Sequence, residues 1–268
     1  MAFLPADTKL TLFLWPEGMF PKQIVYYLLE KRLLTSITQL YEGKTTDPRL
    51  VTKIITFENG GLKDKDPNDP KPAGKSAPCL RITGPPGDDS SVQWIHESSA
   101  IRLFFEALYS EKPRLISTDL LEAAKTNDMM NALQVATDDA TYYIKNAASV
   151  TTFWSGLRDE ERSLAVAKMA KKATQRGLGR FQEWAAPNIK ESGWLTPGLK
   201  RPGIVDVTLA AWARYMELSY AFDLFEGDEL QKLASWYGRF KTLGWWEELE
   251  ERGRHPKELT YANDCREV

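Results

Sequence analysis

The chain reads as an α+β N-terminal domain of order βαβ then ββα, followed by an all-α helical-bundle domain. Three observations predict this. Up to about residue 108, short alternating or β-branched runs are interleaved with helical apolar stripes. The stretch Lys71–Ile101 reads as a loop, a proline-led strand, a Gly/Pro turn, a second strand and a helix start. After Pro113 only the helical period recurs. The domains are therefore 1–112 and 113–268, and 268 residues suffice for two modest domains.

The first element is a strand over Lys9–Trp15, with Leu10, Leu12 and Leu14 on one face and Thr11, Phe13 and Trp15 on the other. In the PEGMFPK segment, Gly18 is expected to supply an unusual backbone angle, and Pro21 suits the first turn of a helix. Ile24, Val25, Leu28 and Leu29 form the stripe of that helix, which runs to Lys31 or Arg32. Residues 35–50 are ambiguous, with a turn or new start at Asp47-Pro48. Val51–Phe57 reads as a second strand, and the Gly-, Pro-, Lys- and Asp-rich residues 59–76 as loop. Two short strands, Ala77–Thr83 and Ser91–Ile95, flank GPPGDD as a hairpin. Ser98 or Ser99 caps the next helix, which buries Ile101, Phe104, Phe105 and Leu108.

In the second domain, the helix after Thr118 aligns Leu133, Ala136, Ala140 and Tyr143. Residues 158–184 form another, with the stripe Val166, Met169, Ala170 and Ala173, and Ile204–Leu218 a third, aligning Val207, Ala211, Tyr215 and Leu218. Further helical segments fill Asp228–Arg252. There is no internal repeat and no low-complexity tail.

Composition excludes several function classes. A net charge of −2 and pI near 5.9 give no basic field for nucleic acid or anionic lipid. No apolar run approaches the ~20 residues of a membrane span, and the first residues do not resemble a secretory signal. Cys79 and Cys265 form no CxxC pair, so a reducing compartment is expected, and with it a cytoplasmic location. His96 and His255 are not spaced as metal ligands, GLG at 177–179 is no dinucleotide fingerprint, and no serine nucleophile elbow is present.

Four motifs carry a resemblance. GKSAPCL places Ala77 before Pro78, and HESSAI places Glu97 and Ser98 at a helix start. Pro202-Gly203-Ile204-Val205-Asp206 has Gly203 at a cap position and Asp206 at N3. Trp15-Pro16-Glu17-Gly18-Met19-Phe20-Pro21-Lys22 joins the first strand to the first helix. On these the chain resembles the glutathione S-transferase superfamily over nearly its whole length, and its start is similar to a fungal branch associated with secondary metabolism. The resemblance implies a thioredoxin-like first domain and glutathione as the cofactor or co-substrate. By position it implies that Ala77, before a cis Pro78, offers its backbone to the cysteinyl part, that Glu97, Ser98 and the helix end bind the γ-glutamyl part, and that Lys75 belongs to the same site. Taken alone, Pro78 could equally start an edge strand, and Glu97-Ser98 could be an ordinary helix cap. Asp206 reads as a folding residue.

The pattern departs from the superfamily where the thiolate is held. Most members carry Tyr, Ser or Cys between the first strand and first helix, and here none lies between Trp15 and Pro21. Trp15 stands in the place of the tyrosine, and Met19, or Gly18 by a one-residue shift, in that of the serine or cysteine. The catalytic candidates are Trp15, whose indole N–H is a donor, and Lys22, which is expected on solvated surface. Cys79 is expected to face the sheet interior as a small hydrophobe. The resemblance implies a hydrophobic small molecule between the domains, with Met19, Phe20, Tyr142, Tyr143, Trp212 and Tyr215 as its candidate contacts, although each of these aromatics also fits a core role. It further implies a homodimer. The activity implied is transfer of glutathione to a hydrophobic electrophile. The alternatives are cis-trans isomerisation of a conjugated alkene by reversible thiol addition, and a non-catalytic binding protein.

Overall fold

The computed structural model describes residues 4–58, 61–84, 92–251, 255 and 259–260. Its backbone falls into two compact units, Met1–Leu115 and Ile116–Val268.

The first unit contains β1 (Lys9–Leu14), α1 (Met19–Glu30), α2 (Ile37–Tyr41), β2 (Leu50–Glu58), β3 (Gly61–Asp64), β4 (Cys79–Thr83), β5 (Gln93–Ile95) and α3 (Ser98–Leu108). The sheet order is β3-β2-β1-β4-β5. β1 runs parallel to β2, with Leu10 opposite Leu50 and Leu14 opposite Ile54. β4 is antiparallel to β1, β5 to β4 and β3 to β2, so among the described residues β1–β2 is the single parallel pair of this sheet. Residues Leu10 to Leu14 are all buried, so the central strand is covered on both sides, as its two apolar faces predict.

α1 buries Ile24, Val25 and Leu28 completely, and Leu29 nearly so. It packs on α3, where Ile101 and Phe105 are buried and Phe104 and Leu108 half-buried. A buried polar clasp joins the two helices. Glu106 accepts from the Tyr27 hydroxyl at 2.7 Å, the Lys31 ammonium at 2.8 Å and the Leu115 N–H at 3.3 Å. Three donors on one carboxylate are what a buried charge needs.

Several expectations are corrected. Residues 59–76 are not all loop, because Gly61–Asp64 forms an edge strand antiparallel to β2. Backbone pairing and polar contacts such as Lys71 N–H to Asp64 Oδ1 hold it, with Leu62 39% exposed, so it leaves no apolar pattern to read. The strand predicted from Ala77 starts at Cys79, and the one predicted from Ser91 is described from Gln93. Most of the GPPGDD connection, from residue 85 to 91, lies outside the described residues. Gly18 has ordinary extended angles, φ −72° and ψ 148°; its value is space, since a Cβ there would lie 2.7 Å from Trp15 Cε3.

The second unit is helical: α4 (Leu120–Ala147), α5 (Thr152–Ser155), α6 (Leu164–Ser192), α7 (Ile204–Tyr220) and α8 (Gln231–Phe240), with single 3₁₀ turns and a π turn at Glu247–Glu251. Asp119 caps α4 through the N–H groups of Leu121 and Glu122, and Ser163 caps α6 through that of Val166. The predicted face of α4, Leu133, Ala136, Ala140 and Tyr143, is buried throughout. α6 is corrected in bounds and in face. Met169 is 64% exposed, and the buried row runs through Ala167, Ala170, Thr174, Gly177, Leu178, Phe181 and Ala185. The contact is close because it is small, since a Cβ at Gly177 would sit 3.2 Å from Ala136 Cβ. In α7, Val207 and Ala211 are buried while Tyr215 and Leu218 are half-buried. Among the described residues, no helix is long and apolar enough to cross a membrane.

Candidate functional site

The candidate site of the first unit is built on one face of its sheet. The ladders place Phe13 opposite Cys79 and Lys53, and Thr11 opposite Arg81. Alternation then puts Trp15, Ile55 and Ala77 on that same side. The contacts agree, since Phe13, Ile55 and Cys79 form a buried cluster with Trp15, Ala77 and Trp94 packed against it. Arg81 lies over the rings of Phe13 and Trp94 at 5.5 and 5.7 Å.

The loop after β3 is tied onto this face by Asp69. Its carboxylate takes Arg81 at 2.5 and 2.9 Å and Lys53 at 2.6 Å. The Arg81 hydrogen bonds hold the Asp69 carboxyl well below the usual carboxylate range. The loop leads to Lys75, an exposed side chain whose carbonyl accepts from Lys71 Nζ at 2.6 Å. The Ala77–Pro78 peptide that follows is cis, with Pro78 buried. Ala77 stands two residues before Cys79, the first paired residue of β4, and so lies outside the ladder.

At the other edge of the same face, β5 runs into α3. Glu97, not Ser98 or Ser99, is the N-cap, and it makes no side-chain cap bond. Ser98 is the first helical residue and is buried; Glu97 is exposed. The first-turn N–H groups of α3 therefore have neither intrahelical partners nor a cap from Glu97, unlike those of α2, α4 and α6, which Ser36, Asp119 and Ser163 cap. An uncapped helix start with positive dipole suits an anion.

The junction of β1 and α1 holds the two catalytic candidates. Trp15 stacks on Phe57 at 6.0 Å and leans over Gly18, and its indole Nε1–H is enclosed without an acceptor. Orphaned buried N–H groups are rare. Lys22 is buried, 5% exposed, with its Nζ 5.9 Å from the Tyr26 ring, and is not the surface residue expected. The long stem lies in the first turn of a helix that is buried nearly all round, which single-sequence polarity does not reveal. Cys79 is fully buried, and burial pushes its thiol up to about 11, so it is no nucleophile near neutral pH.

No family model matches the chain, and no curated protein does. Solved structures do. A Tau class glutathione S-transferase from mango, Mangifera indica, superposes with a TM-score of 0.59 at 14% identity over 95% of this chain and 96% of that one. A glutathione S-transferase from Methylobacillus flagellatus, with glutathione bound, gives 0.59 at 14% over 90% and 98%. Gtt2 from Saccharomyces cerevisiae gives 0.58 at 17% over 89% and 99%. The fold is that of the glutathione transferases. The mixed sheet is its thioredoxin-like part, and α4 to α8 lie in its helical part.

The remaining predicted residues separate by exposure within their own units. Met19 is half-buried and Phe20 44% exposed at the start of α1. Tyr142 is 59% exposed, with Lys145 5.8 Å over its ring. Tyr143 is 6% exposed against Phe222 at 5.1 Å, Trp212 is buried, and Tyr215 meets Tyr220 edge-on at 5.9 Å. Asp206 is wholly buried and accepts five hydrogen bonds, from Leu195 N, Thr196 N, Thr196 Oγ1, Gly203 N and Trp236 Nε1. That is the folding role its N3 position implies. Among the described residues, no group of three His, Cys, Asp or Glu could hold a metal.

Sequence reasoning passed over His96 and Trp94. The imidazole stacks on the indole at 6.3 Å and 9°, and its Nδ1 is enclosed without a partner. Their i, i+2 spacing beside Glu97 was the available signal.

Proposed function

We propose that the first unit binds glutathione and that the protein conjugates it, through its thiol sulfur and with loss of the thiol proton, to a hydrophobic electrophile. The observation that carries this reading is a conjunction on one sheet face. The cis Ala77–Pro78 turn and the uncapped start of α3 at Glu97-Ser98 border it, within a glutathione-transferase fold. Ala77 can pair its backbone with the cysteinyl residue, and Lys75 stands on the same turn for the glycyl carboxylate. The α3 N–H groups and the Ser98 hydroxyl suit the γ-glutamyl carboxylate, and Glu97 its ammonium.

The thiolate needs a donor other than Tyr, Ser or Cys. Of Trp15 and Lys22, Trp15 is the donor we favour, because its Nε1–H lacks an acceptor; the N–H is enclosed, so the ring must shift for a bound sulfur to supply one. Met19 and Phe20, at the start of α1, are the residues of the first unit proposed to meet the apolar co-substrate.

Calorimetry with an ultraviolet titration of bound glutathione tests this reading. Binding is expected with the thiol midpoint below the ~8.5 of a free thiol. Glu97→Ala combined with Ser98→Ala is expected to weaken it by about 1–3 kcal/mol. Unchanged affinity in the double variant would remove the assigned residues, and binding with an unshifted thiol would leave a ligand-holding protein rather than a transferase.

A further inference from the structure

His96 stands out among the polar groups that the proposed site does not use. It is the last residue before the Glu97 cap, and it faces the same side of the sheet as Trp94, on which it stacks at 9°. The β4–β5 register, Leu80 opposite Ile95, carried one residue further sets His96 opposite Cys79, next to the cis Ala77–Pro78 turn. It therefore stands between the two backbone features that mark the site.

The two ring nitrogens are not equivalent. Nδ1 is enclosed without a partner, and Nε2 is not. A proton on Nδ1 would be an orphaned buried donor, the rarer and costlier defect; a bare lone pair there is the milder one. The enclosed side thus selects the tautomer with its proton on Nε2. Nε2–H is then the one N–H donor of this ring, on the residue that immediately precedes the Glu97 cap of α3. The stack on Trp94 fixes the ring plane, and Trp94 is itself held under Arg81 at 5.7 Å.

We infer that His96 is a glutathione-binding residue that donates from Nε2 to the α-carboxylate of the γ-glutamyl group, which adds a side-chain donor to the helix start. This rests on the glutathione reading above. An acceptor that is anionic and lies at the N-terminus of α3 fits an imidazole N–H donor, whereas the ammonium of the same group fits Glu97.

The test measures the affinity of the full chain for three ligands. These are glutathione, γ-aminobutyryl-cysteinylglycine, which lacks the α-carboxylate, and glutaryl-cysteinylglycine, which keeps that carboxylate and lacks the ammonium. His96→Phe retains a ring to stack on Trp94, and His96→Gln retains a donor. His96→Phe is expected to weaken glutathione and the glutaryl ligand about tenfold and to leave the aminobutyryl ligand unchanged, while His96→Gln keeps most of the affinity. If His96→Phe does not fold, His96→Leu gives the same comparison. Equal binding of glutathione by wild type and variant would overturn the assignment, as would equal weakening of all three ligands. Failure of the glutathione reading itself appears separately, as absence of binding in the wild type, and the assignment then falls with it.

Discussion

Two residues show how a single side chain, or its absence, sets local structure. Gly203 occupies the place where a Ser or Thr cap would be expected to open α7. A Cβ there would come within 2.5 Å of Thr196 Cβ and Oγ1. The cap hydroxyl has not been lost but relocated, for Thr196 Oγ1 accepts from Val205 N at 3.1 Å and donates to Asp206 at 2.7 Å. Gly203 is glycine for space, its φ of −118° being open to any residue. Gly203→Ala should therefore destabilise by about 1–3 kcal/mol in urea unfolding. Gly203→Ser should recover stability when Thr196→Ala clears the position and the hydroxyl returns to the cap. A Gly203→Ala protein as stable as the wild type would refute this account. Trp15 is the second case. Trp15→Phe keeps the ring and deletes the N–H, so the thiol midpoint of bound glutathione should rise towards ~8.5 while binding is little changed. No movement of that midpoint would exclude the indole as the thiolate's partner.

At the scale of elements, the loop between β3 and β4 is the informative one. Its composition predicts irregular backbone, and from residue 65 to 78 that is what forms. What composition could not show is that Asp69 clasps Lys53 and Arg81 and ties the loop across the aromatic face. The sign of its pH dependence follows from the direction of the shift. A carboxyl held below its ordinary range contributes stability above its unfolded value of ~3.9, and that contribution is lost as pH falls through the folded value. The facing groups are Lys53, Arg81 and Asp66, and Asp66 pairs with Lys53 at 2.7 Å. Limited proteolysis at residues 70–76 should accelerate below about pH 4 in the wild type, and already at pH 7 in Asp69→Asn. Equal cleavage of variant and wild type at pH 7 would show that the carboxylate does not hold the loop. The α4–α6 pair carries a complementary lesson. Its seam is legible on α4, where Leu133 and Tyr143 mark the face, and misread on α6, where Gly177 and alanines do the packing and Met169 points outward. Periodicity finds bulky stripes more readily than small ones.

For the molecule as a whole, the sequence by itself determined the succession β1, α1, β2, β4, β5, α3 without α2 and β3, and the change of character after Pro113, because strand alternation and helical period are local properties of the chain. It also marked Ala77-Pro78 and Glu97-Ser98, since a proline before a strand and an acidic–serine helix start are visible in the letters alone. Tertiary structure decided the rest. It set Trp15 over Gly18 with its N–H enclosed, buried Lys22, paired Gly61–Asp64 into the sheet and aligned His96 with Trp94 beside the cis turn. Trp15 packs on Phe57, and Trp94 on Phe13 and Arg81, across the sheet, so the enclosure of these groups depends on neighbours from other strands. Whether a polar atom finds a partner, or is left enclosed without it, is a property of packing that no single residue or spacing contains.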